Sequence, residues 1–187
     1  YGRQSINEAD IQAVVDVLRS DRLTQGPKIP AFERALCDLT GAGHCVAVAN
    51  GTTALHLACL ALGVGPGDRG VTSPLSFVAS ANCIAHCGGT PDFADIDPHT
   101  LCLSPREVEK GCERGTVPKV VIPVDFAGVP ADLPAFRKLA DKYGFFLIED
   151  AAHAIGSTYT HDGRTCACGS CAHTDLAVFS FHPVKTI

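Results

Sequence analysis

The chain has 187 residues, 46% of them hydrophobic, which is enough for one domain with a packed core. Its 20 acidic and 15 basic side chains leave a net charge of -5, and no Lys/Arg run marks a nucleic-acid footprint. No apolar stretch is long enough to cross a bilayer, because Gly, Pro or a polar residue interrupts each one.

The first predicted element is a helix over "SINEADIQAVVDVLRS". Ser5 and Glu8 have capping-box spacing, and Ile11, Val14, Val15 and Leu18 recur at helical intervals. "PAFERALCDLTG" reads as a second helix, with Pro30 near its start and Gly41 at its end. Short apolar runs then alternate with helical patterns. Strands are expected at "CVAVAN", "TPDFADI", "KVVIPVDF" and "FFLIED". Helices are expected at "TTALHLACLALG", "SFVASANCIAHCGG", "SPREVEKGC" and "DLPAFRKLADKYG". Strands that are apolar on both faces belong in a parallel sheet covered by helices, so the fold class is α/β, one domain without internal repeats. Ligands of such sheets bind at the carboxyl ends of the strands.

There are 10 cysteines, several of them inside apolar runs such as "HCVAVAN" and "LHLACLALG", where a free thiol packs as a small hydrophobe. The opening "YGRQSINEAD" has no apolar signal-like run, and a reducing cytoplasm is the expected setting. A chain that starts at Tyr1 and contains no Met reads as a piece of a longer product.

Three stretches carry candidate chemistry. The first predicted strand runs into Asn50-Gly51-Thr52-Thr53 and a helix begins at once. A helix N-terminus presents free N–H groups and partial positive charge, and Gly51 allows close backbone approach, so this turn can cradle a phosphate. It can equally be an ordinary cap. "FFLIED" ends in Glu149 and Asp150, which as strand neighbours point to opposite faces and so are not a paired general acid and base. Asp150 can face a protonated ring nitrogen or a metal, or cap a helix. "DLAVFSFHPVK" delivers Lys185 at the end of an apolar run, and a desolvated lysine is a nucleophile toward carbonyl groups. The alternative is a surface lysine after the loop-forming Pro183. Ser180 stands five residues earlier with a hydroxyl for a phosphate. Together the three match the parts of a pyridoxal 5'-phosphate site, in which a helix end holds the phosphate, an Asp the pyridinium and a Lys the aldehyde carbon.

The stretches "FERALCDLTG", "VANGTTALHLACLALGVGPGD", "TSPLSFVASANCI", "GGTPDFADID", "VIPVDFAGVPADL", "FFLIEDAAHAIGS" and "VFSFHPVKTI" resemble, in order, the sugar aminotransferases of the DegT/DnrJ/EryC1/StrS group. The opening "YGRQSINEADIQAVVDVLRSDRLTQGPKI" looks like its pseudaminic-acid branch, the UDP-4-amino-4,6-dideoxy-N-acetyl-β-L-altrosamine transaminases. The resemblance implies the type I, aspartate-aminotransferase-like large domain over residues 1–187. N-terminal helices fill about 1–42 and an α/β core about 43–187, and the small C-terminal domain is absent. It implies Lys185 as the Schiff-base lysine and Asp150 as the partner of the ring nitrogen. Gly51, Thr52, Thr53 and Ser180 fall at phosphate-binding positions, Phe77 at the ring-stacking position and His153 opposite the 3-oxygen of the ring. It implies transfer of an amino group, with glutamate as donor, to a nucleotide-linked keto sugar at C4, by a cytoplasmic homodimer. These 187 residues alone are expected not to turn over. Dehydratases of the same fold carry His where Lys185 stands, which favours transamination over dehydration and over an inert scaffold. "CACGSCAH" brings Cys166, Cys168, Cys171 and His173 into spacings too tight for most structural zinc sites, and no metal is expected.

Overall fold

The computed structural model describes residues 4–185. Helices α1 (Glu8–Leu18) and α2 (Lys28–Thr40) precede α3 (Gly51–Ala61), β1 (Arg69–Thr72), α4 (Ala79–His86) and β2 (Thr90–Phe93). Then come α5 (Pro105–Glu113), β3 (Val120–Ile122), α6 (Leu133–Tyr143) and β4 (Phe146–Asp150). The hairpin strands β5 (Thr158–His161) and β6 (Arg164–Ala167) and the strand β7 (Leu176–Val178) complete the described elements.

Five strands form one sheet in the order β2-β1-β3-β4-β7, and every pairing is parallel. The alternation of side chains along each strand builds a three-layer domain. Val120, Ile122, Ile148 and Val178 point to one face, where Leu55, Ala58 and Cys59 of α3 and Ala79, Cys83 and Ile84 of α4 cover them. Their neighbours Val121 and Leu147 point to the other, against Val108 and Cys112 of α5 and Leu133, Phe136, Leu139 and Ala140 of α6.

Four sequence expectations change. The N-cap of α1 is Asn7, not Ser5. Its Oδ1 accepts from the Ala9 and Asp10 amides at 2.8 and 3.2 Å, and Asp10 answers at the Asn7 amide at 2.9 Å. Ile11, Val14 and Leu18 of the apolar stripe of α1 are exposed, and none of the residues of α1 is buried. "CVAVAN" makes no ladder among the described residues, and Val46 is 76% exposed. A strand exists only where a neighbour accepts its hydrogen bonds. Here the Ala47 amide instead donates to Glu33 Oε1 of α2 at 2.8 Å. Conversely, the central strand β1 and the antiparallel β5–β6 hairpin occur where no strand is expected. Asp162 and Gly163 join the hairpin with φ of 47° and 72°, the geometry of a type I′ turn.

Candidate functional site

The carboxyl ends of β4 and β7 and the first turns of α3 and α4 meet at one edge of the sheet. Asn50 caps α3 by accepting from the Thr53 amide at 2.8 Å, so neither Thr52 nor Thr53 is consumed as the cap. The stretch after β7 passes directly over this turn. A methyl group built on Gly51 would lie 3.1 Å from Ser180 Cβ and 3.3 Å from Ser180 Oγ. A side chain there would press on Ser180, and with glycine the result is a helix N-terminus with a serine hydroxyl beside it. Phe181, the next residue, packs edge-on against Phe32 of α2 with ring centroids 5.0 Å apart.

Asp150 ends β4 at 4% exposure. Ser80 of α4, itself buried, donates to Asp150 Oδ2 at 2.7 Å, and the Ala152 amide donates to Oδ1 at 3.2 Å. No helix follows Asp150, so it is not a helix cap. Burial pushes its carboxyl above the ordinary range, and the Ser80 and Ala152 hydrogen bonds pull the other way, as do His153 and Lys185. A buried carboxylate of this kind is completed by a cation, and a protonated ring nitrogen is one. Ser76 Oγ lies 3.0 Å from Ser80 Oγ, which extends the hydroxyl chain toward the loop of Phe77. Phe77 itself is 65% exposed, a free aromatic face one turn before Ser80.

His153 and Lys185 are brought together, with His153 Nε2 2.7 Å from Lys185 Nζ. Both are half-buried. The Ala127 amide donates to His153 Nδ1 at 3.4 Å. Nε2 and the Lys185 amine thus lie within hydrogen-bond distance, with the imidazole tautomer setting which of them donates. Burial, reinforced by the nearby lysine, pushes the His153 pKa down, which agrees with a neutral ring.

On the opposite face of β4, Glu149 Oε1 accepts from the Gly169 amide at 2.9 Å. A side chain at Gly169, where φ is 78°, would overlap the ring of Phe179, so the turn and the residue leading to Ser180 are in contact. Asp125 Oδ1 accepts from the Ala131 amide at 2.9 Å, while its Oδ2 is buried with no partner. Asp125, Glu149 and Cys168 are mutual neighbours, and burial raises the pKa of all three. Burial and the neighbouring Asp125 carboxyl both favour the protonated form of Glu149. Sequence reasoning missed Ser80, Asp125 and Gly169. The first two acquire their roles only through contacts distant in sequence. Of the Cys and His residues of "CACGSCAH", Cys166 sits in β6 opposite Tyr159, Cys168 lies beside the carboxyl pair, and His173 Nδ1 lies 2.8 Å from the Tyr159 hydroxyl.

The donor set fits pyridoxal 5'-phosphate. Gly51 leaves a cradle that a Cβ would fill, Asp150 is a buried carboxylate short of a cation, and Lys185 offers an amine to an aldehyde. Comparison with solved structures agrees. DesV of S. venezuelae, solved in complex with a ketimine intermediate, is 35% identical with a TM-score of 0.83 over 94% of this chain and 45% of that one. Helicobacter pylori PseC, an aminotransferase involved in the biosynthesis of pseudoaminic acid, is 30% identical with a TM-score of 0.88 over 99% of this chain and 48% of that one. Spr1654 from Streptococcus pneumoniae, in its PLP form, is 32% identical with a TM-score of 0.85 over 99% and 49%. The chain thus spans about half the length of the structures it matches. The family match itself extends over residues 4–187, and the chain belongs to the DegT/DnrJ/EryC1/StrS aminotransferase family, whose cofactor is pyridoxal 5'-phosphate.

Proposed function

We propose that residues 1–187 form the large, cofactor-binding domain of an aminotransferase that moves an amino group from glutamate to C4 of a nucleotide-linked keto sugar, in the synthesis of surface-glycan or pseudaminic-acid-type sugars. The observation that carries the reading is the convergence of Gly51, Ser180, Asp150, His153 and Lys185 on one edge of the sheet, with His153 Nε2 2.7 Å from Lys185 Nζ. The family and its sugar-aminotransferase relatives support the reaction class. The choice of donor, sugar and carbon rests on the sequence resemblance alone.

Each residue then has a task. The first turn of α3, with Thr52, Thr53 and Ser180, binds the phosphate and fixes the position of the ring. Phe77 covers one face of the ring and excludes water from it. Asp150 holds a proton on the ring nitrogen, and Ser80 orients Asp150. The cofactor, when bound, supplies an electron sink that makes the α-proton of the amino donor removable. Lys185 would hold the cofactor through its aldehyde carbon, and its Nζ would carry the proton that is moved. His153 orients that amine through Nε2 and meets the 3-oxygen of the ring. A lysine at position 185 also separates this reading from dehydration, for which the resemblance implies His. We further infer a cytoplasmic homodimer, in which the small domain and the second subunit complete the substrate pocket. No helix among the described residues is long and apolar enough to cross a membrane.

The test is borohydride reduction of the full-length, cofactor-loaded protein followed by peptide mass spectrometry, beside an amination assay with glutamate and a nucleotide-linked 4-keto sugar. Label on Lys185 alone with glutamate-dependent amination is expected. Label on another residue overturns the lysine. Label on Lys185 without amination of the 4-keto sugar overturns the substrate.

A further inference from the structure

The hydrogen-bond chain that begins at Asp150 does not end at Ser80. Ser80 Oγ carries one proton and has three oxygens within reach: Asp150 Oδ2 at 2.7 Å, Ser76 Oγ at 3.0 Å and the Phe77 carbonyl at 3.3 Å. The Phe77 carbonyl already accepts from the Ser80 amide at 3.2 Å. Among the described residues Ser76 Oγ has no hydrogen-bond partner other than Ser80. The arrangement that serves all three groups has Ser76 donating to Ser80 and Ser80 donating to Asp150. Ser80 and Asp150 are buried, whereas Ser76 is half-buried beside the exposed Phe77, in the loop between β1 and α4. Ser73 braces that loop by accepting from the Leu75 amide at 3.1 Å.

We propose that Ser76 is a positioning residue of the aminotransferase site, which acts through Ser80 to commit the Ser80 proton to Asp150 and so joins the loop of Phe77 to the carboxyl that meets the ring nitrogen. The inference rests on the reading of Asp150 as the partner of that nitrogen and of Phe77 as the cover of the ring. The chain has a direction. With Asp150 ionised, both hydroxyls donate inward, and donation from Ser76 polarises the Ser80 O–H toward the carboxylate. With Asp150 neutral, its own proton points at Ser80, and the Ser80 proton must turn back to Ser76 or to the Phe77 carbonyl, which the Ser80 amide already occupies. Ser76 therefore favours the ionised carboxyl, the form that pairs with a pyridinium. It is also the outermost link. A displacement of the loop that carries Phe77 off the ring takes Ser76 away from Ser80 as well, so ring stacking and the contact at the ring nitrogen form together.

The experiment titrates the apo full-length protein with pyridoxal 5'-phosphate, followed by absorbance, from acidic to alkaline pH. Wild type, Ser76→Ala, Ser80→Ala and the double variant are compared, with circular dichroism to establish that each is folded. Ser76→Ala should bind about two- to tenfold more weakly at low pH, the worth of one neutral hydrogen bond, and the deficit should close as alkali ionises Asp150. His153 and Lys185 on the ligand side, Cys83 of α4 and Asp125 after β3 also act on the charge at Asp150. All four are present in the variant, so their titration cancels in its ratio to wild type. Added to Ser80→Ala, the Ser76→Ala change should alter affinity by less than about twofold, because its path to Asp150 is already cut. Wild-type affinity in Ser76→Ala overturns the proposal. So does a deficit that ignores pH, or one that adds in full to that of Ser80→Ala. Failure of the underlying reading shows separately, as a wild type that does not bind the cofactor or an Asp150→Asn variant that binds it as tightly as wild type at every pH.

Discussion

Replacing Ser80 by Ala tests how Asp150 is held. The change removes the hydroxyl that donates to Asp150 Oδ2 at 2.7 Å and leaves the carboxyl with the longer Ala152 contact at 3.2 Å. Both side chains are buried, so water does not replace the lost donor. A hydrogen bond to a charged acceptor contributes about 1.5–3 kcal/mol. Its loss drives the Asp150 carboxyl further above the usual range, toward the neutral form that cannot pair with a pyridinium. At about 1.4 kcal/mol per factor of ten, affinity for pyridoxal 5'-phosphate should fall about tenfold to a hundredfold. The assay is titration of the apo full-length protein with cofactor, followed by absorbance, from acidic to alkaline pH. The deficit should be largest at low pH and should narrow as pH rises, since alkali ionises Asp150 in the variant as well. Circular dichroism and a thermal melt establish that the variant is folded. A folded Ser80→Ala protein with wild-type affinity, or with a deficit that ignores pH, would refute the reasoning.

Asp150→Asn should keep part of the cofactor binding but lose about 100- to 1000-fold in kcat, by analogy with removal of one preorganised electrostatic stabiliser. Near-wild-type turnover would remove Asp150 from the chemistry. Gly51→Ala should weaken cofactor binding more than it weakens the fold, because the added methyl sits 3.1 Å from Ser180 Cβ and closes the cradle. Phosphate affinity, measured with inorganic phosphate as competitor, reads this directly, and unchanged competition would count against the cradle. Stability should depend on pH through the Asp125–Glu149 pair. Burial pushes Glu149 up from 4.5 to about 8, so the folded state binds a proton that the unfolded state has released. Stability is therefore full below the unfolded value and declines as pH rises toward about 8, by about 1.4 kcal/mol per pH unit at most. Denaturant unfolding between pH 5 and pH 8 measures the slope, and Asp125→Asn should flatten it. An equal slope in that variant would place the proton elsewhere.

Much of the domain was legible because its helices carry strong periodic patterns and buried strands such as "KVVIPVDF" are short apolar runs between breakers. β1 was not, since Arg69, Gly70, Val71 and Thr72 hold too little apolar character to stand out, and its identity as a strand comes from β2 and β3 on either side. "CVAVAN" failed in the opposite sense: its residues suit a strand, but suitability does not provide a neighbour. The β5–β6 hairpin had an available signal in Asp162-Gly163, overshadowed by the cysteines that follow. At the site, Lys185, Asp150 and the Gly51 turn stood out by their place at the ends of predicted elements. Ser80 gave no sign in "SFVASANCI", because its partner Asp150 lies 70 positions away.

The order of the sheet also governs how the chain reaches this state. β1 lies between β2 and β3, and the Thr72 hydroxyl donates to the Ile122 carbonyl, 50 positions further along. During synthesis the centre of the sheet must therefore wait for distant partners, and β4 must wait again for β7. Topologies built on such non-local pairings fold slowly and keep apolar surface uncovered in the interim. The phosphate turn is made early and Lys185 more than a hundred positions later. A ligand that touches both can bind only after the sheet has closed, so it cannot guide the early steps. It acts afterwards by mass action, binding the folded state and adding stability that grows with the logarithm of its concentration above the dissociation constant.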